Sequence, residues 1–275
     1  MSVLNNLIDT VIKYWKKYRL NLKIKDLSIG PHFAICILNN DSTGVCHNIS
    51  VSKCKPDINE LRRNTLTFSE ISKQILLDDK FLDPLSLITL AKSDIIFEKI
   101  LGIACINAIS QHILVKFNKN LSFDNKRIAG LDINPDFKIG IIGSILPIIR
   151  QLKEKNVKKI FLKEFIEEKI PVSLSGISIV NNLEFIDEIN VLLITGSSLV
   201  NGTIDEILEK GKNCSECILI GPTASCIPNP LFKRGLTRIA GTMIIAPFKV
   251  RDIILNGGGT RDFKKFGKKY FIKKG

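Results

Sequence analysis

Small hydrogen-bonding residues follow three predicted strands at the point where each strand ends. Glycine lets a ligand approach the backbone, serine and threonine add hydroxyls, and exposed amides at helix starts attract anions. In an open parallel sheet, ligands bind outside the carboxyl ends of the strands. The sequence therefore predicts a small-molecule crevice lined by turn residues, namely Gly143, Ser144, Thr195, Gly196, Ser197, Asn201, Thr203, Gly221, Pro222, Thr223 and Ser225.

The turn after residue 200 also has a structural explanation. Thr203-x-x-Glu206 fits a capping box, in which the threonine hydroxyl bonds a helical amide and the glutamate reaches back. Asp205 suits the positive end of the same helix. We expect capping to be the main role of Thr203, Asp205 and Glu206. Ser197 and Asn201 fit ligand contact and a self-satisfied turn equally well.

Glu164 is the acidic candidate of the predicted crevice. It ends the second strand of the alternating unit, where an acid binds ribose hydroxyls in a doubly wound fold. Gly140-x-x-Gly143 lacks the spacing of a dinucleotide fingerprint, and no phosphate-binding G-x-x-x-x-G-K-[ST] pattern occurs. Glu164 therefore points to a nucleoside-like ligand, and the alternative is a solvated carboxylate.

Metal-ligating patterns are weak in this sequence. Cys214-x-x-Cys217 has no second pair at zinc-finger spacing, and Cys46 and His47 are adjacent in a strand, where neighbours face opposite sides. Cys226 lies on a predicted ligand-facing turn and is the best thiol candidate for a transition-metal ion; the alternative is a structural thiol. No other cofactor is indicated, and no catalytic acid, base or nucleophile can be identified.

The elements predict two domains. Short β-rich runs over 22–52 are followed by helical periodicity over 56–115, which indicates an α+β domain over residues 1–115. Residues 116–137 lack a sustained period and are predicted to be a linker. From 138 to 275, apolar strands alternate with helices, which predicts an α/β domain with a parallel sheet and a basic carboxyl-terminal tail.

Charge and hydropathy limit the partners. The net charge is +13, but nine Lys or Arg against two Asp lie in residues 249–275. Aromatic and basic residues are not interleaved in the way that stacks bases, so nucleic acid is a disfavoured partner. No run of about 18 apolar residues and no signal peptide occur, which predicts a cytoplasmic protein without a membrane partner. The sequence neither predicts nor excludes a homo-oligomer.

Three consecutive glycines, 257–259, precede a cluster of basic residues. Asn256-Gly257 can cap the preceding helix in the left-handed conformation, which explains one or two of the glycines. The sharper hypothesis is a mobile strap, with Gly258 at its centre, that carries positive charge over an anionic ligand.

At these residues the chain resembles a known family. The order "VLLITGSSLVNGTIDEILE", "ILIGPTAS", "GLTRIAGTMIIAP" and "ILNGGG" is similar to the "putative heavy-metal chelation" family, and "LGIACINAI" looks like its amino-terminal companion. The resemblance implies an enolase-amino-terminal-like α+β domain followed by a Rossmann-like domain. It also implies a role with metals or metal-chelating small molecules.

Three functions remain in order of preference. The first is binding or processing of a small anionic or metal-chelating molecule, including a heavy-metal complex, at the carboxyl ends of the Rossmann-like strands. The second is an enzyme that acts on a nucleoside-like or heterocyclic substrate. The third is nucleic-acid binding, which would show as a steep dependence of affinity on salt.

Overall fold

The computed structural model describes residues 1–50, 83–117, 121–123, 127–164 and 176–275. The amino-terminal part is an α+β unit, as predicted. A three-stranded antiparallel meander is flanked by helices, and its elements are α1 (Val3–Tyr18), β1 (Ile24–Ile29), β2 (Phe33–Leu38), β3 (Thr43–His47), α2 (Pro84–Thr89) and α3 (Ile96–Phe117). The helices predicted within 56–82 lie outside the described residues.

Helix α3 is the core element of the amino-terminal part. Among the described residues it is long and apolar enough to cross a membrane, but 78% of its most apolar window is buried inside the protein. The helix packs closely on β3, because an added Cβ at Gly44 would lie 2.2 Å from the backbone oxygen of Ala104. We therefore interpret α3 as the central helix of a folded domain.

The carboxyl-terminal part alternates strands and helices, as predicted. Its elements are β4 (Lys138–Ile142), α4 (Leu146–Glu154), β5 (Lys159–Lys163), β6 (Ser178–Ile179), β7 (Val191–Thr195), α5 (Ile204–Lys210), β8 (Glu216–Ile220), α6 (Asn229–Phe232), β9 (Arg238–Ile244), α7 (Pro247–Leu255), α8 (Thr260–Phe263) and β10 (Gly267–Lys273).

These strands form one seven-stranded sheet in the order β10-β9-β8-β7-β4-β5-β6. All neighbours pair in parallel except β10, which is antiparallel to β9. Strand β4 pairs with both β5 and β7, so the chain leaves β4 in one direction and later returns to its other side. The mixed α/β class is confirmed, and β4 and β7 flank the point where strand order reverses.

Strand β10 corrects the prediction of a tail of surface charge. Residues 267–273 form an edge strand in which Tyr270 and Ile272 are buried, while Lys268, Lys269 and Lys273 are exposed. Three lysines in seven residues hide this pattern from a reading of the sequence. Lysines on an edge strand also oppose pairing with another chain.

The two parts are in extensive contact. Helices α7 and α8 pack on the outer face of the meander, where Ile35 of β2 shares a core with Ile254 and Phe263. Gly30 lies so close to α7 that an added Cβ would be 2.0 Å from the carbonyl oxygen of Ile254. Within the predicted linker, Ser122 exchanges two backbone hydrogen bonds with Phe271. The boundary at residues 116–137 stays a prediction.

The predicted capping box at α5 is wrong. Thr203 makes no side-chain capping bond; its hydroxyl donates to Oδ1 of Asn201 at 2.8 Å. The carboxylate of Asp205 instead accepts the backbone N–H of Val3 at 3.0 Å, at the start of α1, and pairs with Arg234 at 3.2 Å. The side chain of Asp205 thus binds a residue 202 positions away, where it meets a helix amino terminus and a cation together.

Candidate functional site

The turns after β4 and β7 touch each other. Gly143 has a φ of +85°, which favours glycine, and an added Cβ there would lie 2.5 Å from Cγ2 of Thr195. The turn after β8 is equally close, since an added Cβ at Gly196 would lie 2.7 Å from the backbone nitrogen of Ala224. The three predicted turns therefore form one surface at the carboxyl edge of the sheet.

Glu164 lies at this edge, against the turn that follows β4. Its Oε2 accepts the backbone N–H of Ser144 at 2.7 Å, near the start of α4, where the helix dipole favours negative charge. The hydroxyl of Ser144 is buried and has no hydrogen-bond partner among the described residues. The side chain of Glu164 thus takes the backbone amide that a phosphate would need, and an unsatisfied hydroxyl remains beside it.

His47, at the end of β3, reaches the same edge from the amino-terminal part. Its Nδ1 lies 2.9 Å from Oγ of Ser197, which is 150 residues away in the sequence. Its backbone N–H donates to the hydroxyl of Thr223 at 2.9 Å. This contact is not predictable from the sequence, because His47 is recognisable there only as the neighbour of Cys46 and lies 150 residues from Ser197.

The turn after β7 presents its hydroxyls to His47. A short 3-10 turn, Gly196–Leu199, follows Thr195 directly. The hydroxyl of Ser198 turns back to the carbonyl oxygen of Thr195 at 2.8 Å, while the hydroxyl of Ser197 lies 3.4 Å from Oγ1 of Thr195. Ser197 and Thr195 are half-buried, so both stay within reach of a ligand.

The hydroxyls after β8 are used by the protein itself, which corrects their predicted role. Thr223 and Ser225 are buried, and α3 covers them. The side-chain nitrogen of Asn107 donates to the carbonyl oxygens of Val45, at 2.9 Å, and Thr223, at 3.0 Å. Gln111 reaches the carbonyl of Ser225 at 3.4 Å. The amino-terminal part therefore covers the carboxyl end of β8, and Asn107 hydrogen-bonds both sides of the interface between the two parts.

Three further candidates, Asn201, Thr203 and Gly258, lie outside this contact region. Asn201 is exposed, and its side chain accepts from the amide and hydroxyl of Thr203. Gly258 lies against α7, because an added Cβ would be 2.3 Å from Cγ2 of Ile253. The amides of the three glycines are all hydrogen-bonded, two to α7 carbonyls and one to Asp262. This pattern favours a cap and turn over a mobile strap.

At the margin of this contact lie five half-buried polar residues that we call the strand-end cluster: His47, Ser144, Glu164, Thr195 and Ser197. Hydrogen-bond contacts join His47 to Ser197, Ser197 to Thr195, and Ser144 to Glu164. The close approach of Gly143 to Thr195 brings these two groups together. Beside it, Gly221 has a φ of +122° and, with Pro222, is half-buried at the end of β8. The cluster offers hydroxyls, an imidazole and a carboxylate, so it can hydrogen-bond a polar ligand through both donors and acceptors.

The described residues do not form a site for a bare metal ion. No group of three or more His, Cys, Asp or Glu side chains converges within the described ranges. Cys226 is 1% exposed, and burial raises the pKa of its thiol to about 12. The thiolate is the form that binds metals, so Cys226 as placed here is a core thiol. Cys214 and Cys217 are likewise buried, and Cys54 lies outside the described residues.

We expect Cys226 to resist alkylation in the folded protein at neutral pH, because the buried thiol stays protonated. Peptide mapping after iodoacetamide treatment, with and without added zinc, measures this directly. Equal and low labelling in both samples supports the core position. Rapid labelling that zinc suppresses would instead restore Cys226 as a metal ligand.

With this geometry in place, comparison with known proteins identifies the class. A family model described as "Putative heavy-metal chelation" (DUF364) matches residues 127–273, and a second model with the same description (DUF4213) matches residues 16–110. The chain therefore belongs to this family. The two models fall on either side of residues 111–126, which overlap the predicted linker.

Individual relatives agree with this assignment. The chain is 34% identical over 191 residues to an uncharacterized protein of Methanocaldococcus jannaschii, which covers 68% of this chain and 70% of that protein. Two crystal structures of DUF364 proteins of unknown function share the fold. One, from Pyrococcus horikoshii, has a TM-score of 0.74 at 22% identity, covering 99% of this chain and 100% of that one. The other, from Desulfitobacterium hafniense, has a TM-score of 0.70 at 19% identity and covers 98% of both chains.

Proposed function

We propose that this protein binds a small anionic, metal-chelating molecule at the strand-end cluster. The observation that carries the proposal is the 2.9 Å contact between Nδ1 of His47 and Oγ of Ser197. It joins the amino-terminal part to the edge of the sheet where ligands of doubly wound proteins bind. The family's description supports a metal-containing ligand, and the strand-end cluster offers hydrogen bonds to the organic part of such a ligand.

In this proposal the metal ion is part of the bound ligand and is not a resident cofactor of the protein. The described residues offer no set of three convergent metal ligands, so the donors that hold a heavy-metal ion would belong to the bound molecule. Carboxylates and hydroxyls of such a chelator match the hydroxyls of Thr195 and Ser197, and the imidazole of His47 would add a further hydrogen-bonding group. Glu164 would meet a hydroxyl or another donor group of the ligand.

Binding of ferric citrate, citrate alone and zinc alone, followed by isothermal titration calorimetry, tests the proposal. We expect the complex to bind to the wild-type protein, and Ser197→Ala and His47→Gln to weaken it by about tenfold each, as loss of a hydrogen bond predicts. Asn201→Ala is the matched control, because its side chain is exposed and bonds only its own turn. Equal binding of bare zinc by all four proteins would contradict the proposal.

A second candidate is an enzyme for a nucleoside-like substrate, and the strand order favours it. The six parallel strands run β6-β5-β4-β7-β8-β9, which is the 3-2-1-4-5-6 order of dinucleotide-binding folds. Glu164 follows the second strand of that order, where such folds bind ribose hydroxyls. Because the Glu164 carboxylate takes the Ser144 amide, we expect adenosine to bind better than AMP, and Glu164→Gln to reverse this preference. Equal binding of both would remove this candidate.

We also propose a domain architecture for the chain. From the strand order we infer a Rossmann-like domain over residues 138–275, and from the family resemblance an enolase-amino-terminal-like domain over residues 1–115, with 116–137 as the linker. We place the protein in the cytoplasm. Whether a reaction follows binding depends on the ligand, since none of the described groups is assigned a catalytic role.

A further inference from the structure

A basic groove lies along the outer side of β10, apart from the strand-end cluster. It has a volume of about 630 Å³ and is lined by Phe123, Lys264, Gly267, Lys268 and Lys269. None of the residues of the strand-end cluster lines it. The groove brings a residue of the predicted linker together with residues of the carboxyl-terminal strand.

The position of Phe123 is set by backbone pairing. Ser122 donates to the carbonyl oxygen of Phe271 at 3.0 Å and accepts its N–H at 2.9 Å, which aligns residues 121–123 with the edge of β10. Nearby, the ring of Phe271 packs against Gly130, where an added Cβ would lie 2.2 Å from the ring. The ring of Phe123, by contrast, is 55% exposed. An aromatic face is thus held at the groove by backbone bonds.

The charge of the groove has one sign. Lys264, Lys268 and Lys269 are exposed and form no salt bridge with any described residue, and no described acid lines the groove. Next to it, the ammonium groups of Lys249 and Lys265 lie 5.5 and 5.0 Å from the ring centre of Phe266. Lysines therefore lie near the Phe266 ring and share the groove with Phe123.

Protection of the sheet edge explains only part of this arrangement. Lysines alone are enough to prevent an edge strand from pairing with another chain. That role does not require an exposed phenylalanine beside them, which adds apolar surface to an edge that should repel partners. A positively charged groove with an aromatic platform is the combination that binds single-stranded nucleic acid, because phosphates meet the lysines and bases stack on the ring.

We propose that this groove binds single-stranded nucleic acid, with Lys264, Lys268 and Lys269 on the phosphates and Phe123 stacked on a base. An acidic peptide would satisfy the lysines but gains little from one flat ring without apolar pockets around it. An anionic membrane would need a broader apolar face than this groove presents. The proposal is independent of the function assigned to the strand-end cluster.

Fluorescence anisotropy of labelled twelve-nucleotide oligo(U) and oligo(dT) with the full chain tests the proposal. With three phosphate contacts, the slope of log K against log[salt] should be about −2, so affinity should fall roughly twentyfold between 50 and 200 mM salt. Comparison of the two oligonucleotides shows whether RNA or DNA is preferred. The Lys268→Glu/Lys269→Glu variant should bind at least about tenfold more weakly.

Phe123→Ala should also weaken binding by about tenfold, as loss of one stacked base predicts. Phe248→Ala is its control, because Phe248 is 37% exposed and does not line the groove. Lys13→Glu/Lys16→Glu, two exposed lysines of α1, controls for net charge. Circular dichroism melting checks that all variants fold.

Three results would overturn the proposal. The first is equal loss of affinity in both lysine double variants, which would indicate nonspecific attraction. The second is normal binding by Phe123→Ala together with full competition by polyglutamate, which would indicate an acidic peptide. The third is binding to phosphatidylserine vesicles that oligo(U) fails to displace. None of these results bears on His47→Gln, so the two proposals fail separately.

Discussion

Asn107→Leu should lower the free energy of unfolding by about 3 kcal/mol, since two buried carbonyl oxygens lose their donor and each costs about 1–3 kcal/mol. The Asn107 side chain is fully buried and donates to Val45 of β3 and to Thr223 after β8. Leucine fills a similar volume but donates nothing. Urea denaturation measures the difference, with an unchanged m-value as the sign that the unfolded state is not altered.

Ser110→Ala is the matched control for this prediction. Ser110 lies on the same face of α3 and is also fully buried, but in the part of the chain that the structure describes its hydroxyl has no hydrogen-bond partner. Its removal deletes an unsatisfied group, so we expect unchanged stability or a gain of up to about 1 kcal/mol. Wild-type stability in Asn107→Leu would mean that the carbonyls of Val45 and Thr223 find other donors, and that Asn107 does not hold the interface.

Gly44→Ala should be at least as damaging, with a loss of about 3 kcal/mol or more, because overpacking against immovable atoms costs the most. The added methyl would lie 2.2 Å from both the carbonyl oxygen of Ala104 and the backbone nitrogen of Ala108. Both atoms belong to the backbone of α3, so no side-chain rotation relieves the clash. Thermal and urea unfolding measure the loss.

The same substitution should also affect the strand-end cluster. Strand β3 can accept the methyl only by moving away from α3, and His47 lies three residues further along that strand. We therefore expect Gly44→Ala to weaken ferric citrate binding as His47→Gln does. Gly259→Ala is the control, since its φ of −108° suits alanine and the nearest atom would be 4.0 Å from the methyl. Similar losses in both variants would refute the steric argument.

The placement of the amino-terminal part explains why hydroxyl-rich turns do not all contact a ligand. After β8, Thr223 and Ser225 bond the side chains and backbone of β3 and α3. After β4 and β7, Ser144, Thr195 and Ser197 stay half-buried at the margin of this contact. One sheet edge is thus divided between an internal partner and the space that we assign to the ligand.

Local patterns in the sequence were enough to predict most of the fold. Apolar runs bounded by glycine and proline predicted β4, β7 and β8, and three- and four-residue spacing predicted α3, because burial imposes a period on each isolated element. The small residues at the strand ends predicted, for the same reason, the edge where we propose that a ligand binds, since backbone geometry at a strand end restricts residue type locally. Strand β10 was not predicted, because its lysines mask the alternation of buried and exposed residues.

Contacts between distant residues were decided by the tertiary structure alone. Ser197 contacts His47 across 150 residues, the side chain of Asp205 accepts a backbone N–H at the start of α1 across 202, and Phe123 lines a groove with lysines of β10. Each pairing depends on how whole elements pack, and a side chain binds the partner that packing brings nearest. The residue types at these positions do not indicate which partner each side chain contacts. The sequence alone therefore determined the helices and strands, and the packing of these elements determined which distant side chains meet.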